Sequence, residues 1–212
     1  MPLSTNTPCL VDTFFDKVYY INLDHDTGRN QHILDQFQQF NITNYQRVPG
    51  VIIQSIPDIS LYRNFIHRDI KYIRGALGCR ESHLNIIADA KKNNYKNILI
   101  FEDDIKFTID PNILLSGNYL NIQNFDILYF SGLQEQLFNN QIVELHAYGV
   151  NHRIFDDILY MCTASGMEVD NFYAKILQQM SKNNRQGGKC LTKKVEPFNS
   201  IVQVKTFSSN IS

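Results

Sequence analysis

The residues that most restrict what this 212-residue chain can fold into are Asn97 to Asp104, NILIFEDD. Asn97 to Phe101 is a continuous apolar run, the pattern of a strand buried on both faces, and such strands sit in sheets covered by helices on each side. It ends abruptly in Glu102, Asp103 and Asp104. In open α/β sheets ligands bind beyond the carboxyl ends of the strands. Two full charges ~6 Å apart at an effective dielectric of ~20 repel by roughly 3 kcal/mol, so the triplet calls for a counter-charge. A divalent cation would supply one, and hard oxygen ligands suit Mg²⁺ or Mn²⁺. Strand alternation would put Glu102 and Asp104 on one side and Asp103 on the other. A solvated turn is the plain alternative, because Asp is common after strands. A phospho-acceptor receiver domain also gathers acids at strand ends. Its first acidic pair follows the first strand, however, where this chain has only Asp24-His25-Asp26, and its order of elements differs. A metal-assisted phosphoryl or nucleotide-sugar site fits the pattern better.

The rest of the chain supplies the sheet and its covers. Lys17 to Leu23 reads as a buried strand, Asp24 to Gly28 as a polar turn, and Asn30 to Phe40 as a helix with Ile33, Leu34, Phe37 and Phe40 on one face. Gln46 to Ile53 contains a second strand and Gln54 to Tyr72 is irregular. Gly75 to Asn93 is a long helix with Leu77, Leu84, Ile87 and Ala88 on a buried stripe. After the acidic strand come a short helix (Ile113 to Leu120), a strand (Phe125 to Phe130) and one or two strands within Gln141 to Val150. Helices follow at Arg153 to Tyr160 and at Asn171 to Ser181, the second with Asp170 as N-cap. Gly187 to Ser212 is loop with one or two short strands. Alternating strands and helices predict an α/β fold with a central, mostly parallel sheet flanked by helices. With no repeat, low-complexity tract or Gly/Ser linker, residues 1–212 read as a single domain.

Composition excludes several classes. Twenty Lys plus Arg against 21 Asp plus Glu give a net charge of −1 with no basic block, so nothing draws the chain to nucleic acid or anionic membrane. Cys9, Cys79, Cys162 and Cys190 form no C-x-x-C pair, which excludes a zinc ribbon and leaves packed thiols as the reading. Met1 to Phe15 has no basic segment followed by an apolar one, and no run approaches the ~18 apolar residues of a membrane helix. A chain complete as given is therefore expected to have no membrane span and to work in the cytoplasm.

At this point the motifs resemble those of glycosyltransferase family 25, which includes lipopolysaccharide glycosyltransferases and collagen hydroxylysine galactosyltransferases. VYYINLDHDTGRN (Val18 to Asn30) is similar to the family's opening strand and turn, and RVPGV (Arg47 to Val51) to its second strand. The most specific segment is Gly75 to Phe107, which resembles the family's Gly-x-x-Gly-Cys-x-x-Ser-His helix and the Glu-Asp-Asp strand after it. FDILYFSG, HAYGVN, EVDNFYA and the terminal SSNIS follow in the family's order, so the resemblance spans nearly the whole chain.

The resemblance implies a GT-A-type, Rossmann-like fold and an inverting, Mn²⁺- or Mg²⁺-dependent transfer from a nucleotide-sugar, usually UDP-linked, to a hydroxyl of a glycan or of hydroxylysine. Asp104 is expected to be the principal metal ligand, with Glu102 or Asp103 reaching metal or ribose and His146 a further contact. Asn22, Leu23, Arg29, Gly78, Ser82 and Asp103 are expected to line the donor. For Arg29 two readings stand, a phosphate partner or a solvated first-turn residue. Asp170, in EVD, is the candidate base that takes the acceptor proton, unless it is only an N-cap; Asp126 is the competitor. Cys79 and His83, one turn apart, could share a metal, but with no third ligand at comparable spacing they read as packing residues. The chain departs from the family at Ala76, at Arg80-Glu81 and at Asn210. Those departures leave open a second reading, a domain that binds nucleotide-sugar or a partner protein without turnover. A third is a Mg²⁺-dependent phosphate-handling protein of another α/β family.

Overall fold

The computed structural model describes residues 9–56, 68–118, 122–135, 141–177 and 190–204. The SSNIS segment with Asn210, and the end of the helix expected through Ser181, lie outside the described residues. A mixed six-stranded sheet forms the centre. Its members are β1 (Lys17–Asn22), β2 (Tyr45–Pro49), β3 (Asn97–Glu102), β5 (Ile127–Tyr129), β8 (Ala147–Asn151) and β9 (Thr192–Lys194), in spatial order β2-β1-β3-β8-β5-β9. Pairings β1–β2, β1–β3 and β5–β9 are parallel, while β8 runs antiparallel between β3 and β5. The mostly parallel sheet expected from the sequence therefore forms, with one reversed strand inside it. Two short ribbons are added, β4 (Ile105–Phe107) with β10 (Ile201–Gln203), and β6 (Leu133–Glu135) with β7 (Gln141–Val143).

Helices cover both faces, as double-sided burial of β3 requires. On one side lie α1 (Leu10–Phe14), α2 (Thr27–Gln39) and α4 (Pro111–Gly117), where Phe15, Val18, Phe37, Leu99, Phe101 and Leu115 pack together. On the other lie α3 (Ile70–Lys92) and two irregular helical stretches, α5 (152–165) and α6 (169–177). Ile86, Ile87, Ile98, Ile100, Tyr148 and Phe172 form that core. Ile98 and Ile100 face one layer, Leu99 and Phe101 the other, which is the period-2 alternation of a strand buried on both sides.

Three boundaries differ from expectation for local reasons. Helix α3 begins at Ile70, five residues before Gly75, because the Asp69 side chain accepts from the Tyr72 N–H and caps it. Within α3, Ala88 is exposed and Ile86 and Ala90 are buried instead. Helix α6 begins at Val169 with Glu168 at the N-cap position, so Asp170 lies inside the first turn and is not the cap.

Candidate functional site

The acidic triplet stands where β3 leaves the sheet. Strand alternation stops at Glu102, because Asp103 and Asp104 form a turn into β4. The expectation that Glu102 and Asp104 share a side therefore fails. Asp103 and Asp104 both turn toward the start of α2, and Glu102 stays on the α3 side. Arg29 meets the pair: its Nη1 is 3.0 Å from Asp103 Oδ1 and 3.3 Å from Asp104 Oδ2. Asp26, the N-cap of α2, accepts from the Arg29 N–H (3.2 Å) and lies 3.4 Å from its Nε. Arg29 is thus neither solvated nor an open phosphate partner. It is a buried, resident counter-charge.

Around that ion cluster the polar groups are tightly shared. Asn22, at the end of β1, donates to Asp103 Oδ2 (2.7 Å) and to the Asp26 carbonyl (3.0 Å), and accepts from Arg47 Nε (3.0 Å). Gln203, beside β4 on β10, donates to Asp104 Oδ2 (3.0 Å). Asp104 Oδ1 is buried without a hydrogen-bond partner. A buried, unpaired carboxylate oxygen beside other acids is a donor suited to a hard cation. Leu23 is half-buried and lies under Gly50, where any Cβ would meet its Cδ2 at 2.8 Å.

The Gly-Cys-x-x-Ser-His segment of α3 resolves into two neighbouring i, i+4 pairs with different tasks. Gly78 and Ser82 dock the chain after β2: a Cβ at Gly78 would lie 2.3 Å from the Val51 carbonyl oxygen. Ser82 Oγ accepts from the Val51 N–H (2.8 Å) and donates to the Gly78 carbonyl (2.7 Å). Both residues expected to line the donor are therefore engaged in fixing a loop. Cys79 and His83 take the other side and meet Glu102, so that one ligating atom from each lies within 4.8 Å of the other two. His83 Nδ1 is hydrogen-bonded to the Tyr148 hydroxyl (2.7 Å), while Nε2 is buried without a partner, 3.7 Å from Glu102 Oε1.

Charges in this corner are perturbed together. Burial, then repulsion from Asp103, pushes Glu102 up to about 7. Burial, then repulsion from Glu102, lifts Asp170 to about 7, opposed by His83. Asp104 rises to about 6 for the same two reasons, opposed by Arg29 and the Gln203 hydrogen bond. Burial lowers His83 to about 4, so near neutral pH its ring is uncharged. Such clustering of shifted carboxyls marks this corner as the candidate functional site.

Two candidates are not brought into the cluster. Asp126 precedes β5, level with the start of β3, at the opposite end of the sheet from Glu102. Its carboxylate pairs with Arg153 Nε (2.8 Å) and accepts from the Leu191 N–H (2.6 Å), a structural role. His146 touches the site through its backbone, its carbonyl accepting the Glu102 N–H (3.0 Å); burial holds its ring down to about 4. An open groove of about 420 Å³ lies over α2, between Gln31 and Tyr45, and includes none of these residues.

Fold and site together define an α/β, Rossmann-like protein with an acidic centre at the carboxyl ends of its parallel strands. The sequence profile of glycosyltransferase family 25 (LPS biosynthesis protein) matches residues 15–195, and the chain belongs to that family. Procollagen galactosyltransferase 1-A of Xenopus laevis is 29% identical over 107 residues, which cover 45% of this chain. The match spans only 17% of that relative's length. Among solved structures, a glycosyltransferase involved in glycosylation of the major capsid of PBCV-1 aligns with TM-score 0.44 and 10% identity, covering 83% of this chain and 79% of that one. A glucose-1-phosphate thymidylyltransferase from Bacillus anthracis, in complex with sucrose, aligns at TM-score 0.44 and 10% identity over 84% and 85% of the two chains.

Sequence reasoning missed the burial of Arg29, the Gln203 contact and the meeting of Cys79 and His83 with Glu102. The first was legible: Arg29 is four residues before Ile33 and so lies on the apolar stripe of α2. The other two depend on tertiary pairing that no local pattern encodes.

Proposed function

We propose that the chain transfers a sugar from a UDP-linked donor to a hydroxyl of a glycan or of hydroxylysine, with inversion and with a divalent cation. The observation that carries this reading is the buried Asp104, whose Oδ1 has no partner, beside the elevated carboxyl of Glu102, which in turn raises that of Asp170. Asp104, through its unpartnered Oδ1, would hold Mn²⁺ or Mg²⁺. When bound, the cation neutralises charge that grows on the departing nucleoside diphosphate. Arg29 and Asn22 hold Asp103 and keep the turn in shape before any ligand arrives. Asp170 takes the acceptor proton: its pKa of about 7 suits a base that must both accept and release a proton near neutrality.

The first test is thermal melting against a panel of nucleotide-sugars with and without Mn²⁺. A ligand at 100 times its Kd stabilises by about 2.7 kcal/mol, so a Mn²⁺-dependent rise with one UDP-sugar names the donor. Asp104→Asn should then abolish both that rise and transfer while the unliganded melt stays cooperative. Transfer retained in Asp104→Asn would remove its metal role. Donor binding without transfer to any hydroxyl would favour the binding-module reading.

A further inference from the structure

We propose that Cys79 Sγ, His83 Nε2 and a Glu102 carboxylate oxygen form a zinc site of soft-ligand type, distinct from the hard-cation position at Asp104. Three features of this corner carry the assignment, independently of any transferase activity. The first is geometry. Ligand atoms ~2.0–2.3 Å from a tetrahedral Zn²⁺ lie roughly 3.3–3.6 Å from one another. His83 Nε2 and Glu102 Oε1 are 3.7 Å apart, and all three ligand atoms lie within 4.8 Å, so side-chain adjustments of about 1 Å complete the set.

The second is an unsatisfied atom. His83 is 1% exposed, and its Nε2 has no hydrogen-bond partner and lies 3.7 Å from Glu102 Oε1, in the corner it shares with Cys79. Buried polar atoms are ordinarily paired, and a cation bound between this nitrogen, the thiol and the carboxylate would give it its partner. Its other nitrogen is already fixed by the Tyr148 hydroxyl at 2.7 Å, over which the imidazole also stacks. With Nδ1–H donating to that oxygen, the Nε2 lone pair is turned to the metal, the usual outer support of a ligating histidine.

The third is charge. Binding releases the Cys79 thiol proton, and any proton carried by Glu102, to solvent, leaving one thiolate, one carboxylate, one neutral imidazole and Zn²⁺, which sum to zero. No net charge is then buried. A thiolate–imidazole–carboxylate set favours Zn²⁺ over the oxygen-seeking Mn²⁺ and Mg²⁺ and leaves a fourth position open. Because Glu102 also begins the acidic triplet, zinc holds that side chain toward α3, away from Asp104.

The test is a Co²⁺ titration of the purified 212-residue chain after chelator stripping. One equivalent should produce a thiolate-to-cobalt charge-transfer absorption that Zn²⁺ abolishes stoichiometrically and excess Mn²⁺ does not. Cys79→Ser should lose the band, Tyr148→Phe should weaken affinity by about tenfold, and Asp104→Asn should leave the band unchanged. A measurement on the unmodified chain guards against misfolded variants. Cys79 is half-buried whereas Cys9, Cys162 and Cys190 are buried, so Zn²⁺ should protect Cys79 from alkylation as read by peptide mass. The proposal is overturned by absence of the band at one equivalent, by a band that survives Cys79→Ser, by its loss in Asp104→Asn, or by alkylation of Cys79 that Zn²⁺ does not slow. Failure of sugar transfer touches none of these readouts.

Discussion

Arg29 does structurally what the acidic triplet had implied a metal must do. Its guanidinium sits between Asp103 and Asp104, so the turn is held together before any cation binds. Removing one partner of a buried ion group leaves an uncompensated charge and typically costs about 3–5 kcal/mol. Arg29→Met should therefore lower metal-free stability by about 3 kcal/mol, read by urea unfolding. Mn²⁺ should restore more stability to that variant than to the original chain, since it would find the acids without their counter-charge. The carboxyl of Asp170 makes the opposite contribution. Its pKa is raised from 3.8 to about 7, so between those values the folded state binds more protons than the unfolded one. Stability contributed by this group is present below pH ~4 and falls as pH rises to about 7. Asp170→Asn should thus be the more stable protein at pH 8, by on the order of 2 kcal/mol after allowing for its partial exposure, and indistinguishable below pH 4. Urea midpoints at the two pH values decide it. An Asp170→Asn chain less stable than the original at pH 8 would mean that Asp170 is held ionised, not protonated.

At the scale of elements, α3 separates docking from chemistry by a single residue of offset. Gly78 and Ser82 grip Val51, while Cys79 and His83 face Glu102. Gly78→Ala forces a Cβ into the Val51 carbonyl at 2.3 Å and should cost about 1–3 kcal/mol. Gly28→Ala, in the first turn of α2 with nothing within 4 Å of the new methyl, should be neutral or stabilise by about 0.5 kcal/mol. Thermal melts of the two variants test whether α3 is held by close approach or only by its apolar stripe. Much of this was legible in the chain. The apolar NILIF run announced a strand covered on both sides, and apolar spacing marked α3 from Gly75 onward but not the first turn that Asp69 caps. The legible part of the site was its location, because Glu102 to Asp104 directly follow that strand. The division of labour inside the triplet was not legible. It depends on a turn that breaks the alternation, on Gln203 arriving about a hundred residues later through β10, and on β8 running antiparallel so that His146 meets Glu102 by backbone alone.

Across the whole molecule the sheet has two chemically different ends. The carboxyl ends of β1 and β3 carry Asn22, Arg29 and the acidic turn, and α3 and α6 bring His83 and Asp170 to the same end. The opposite end is pinned by polar contacts that satisfy one another: Asp16 accepts from the Asn97 N–H (3.0 Å), and Asp126 links Arg153 to the Leu191 N–H. Asp126 is 3% exposed, and each of its oxygens already accepts a hydrogen bond at this end of the sheet. A carboxylate so placed stabilises the junction of β5, β8 and the residue that leads into β9. Asp126→Asn should weaken the Arg153 pair, and its amide cannot accept along both edges, which costs about 2 kcal/mol. Transfer per folded molecule, and any Mn²⁺-dependent donor stabilisation, should be unchanged. Asp170→Asn should show the reverse, a stability equal to or above the original at neutral pH with turnover reduced and donor binding kept. Measuring unfolding and transfer on both variants therefore assigns each aspartate to its end of the sheet. Loss of transfer in Asp126→Asn with an unaltered melt would move the base to the far end and overturn this polarity.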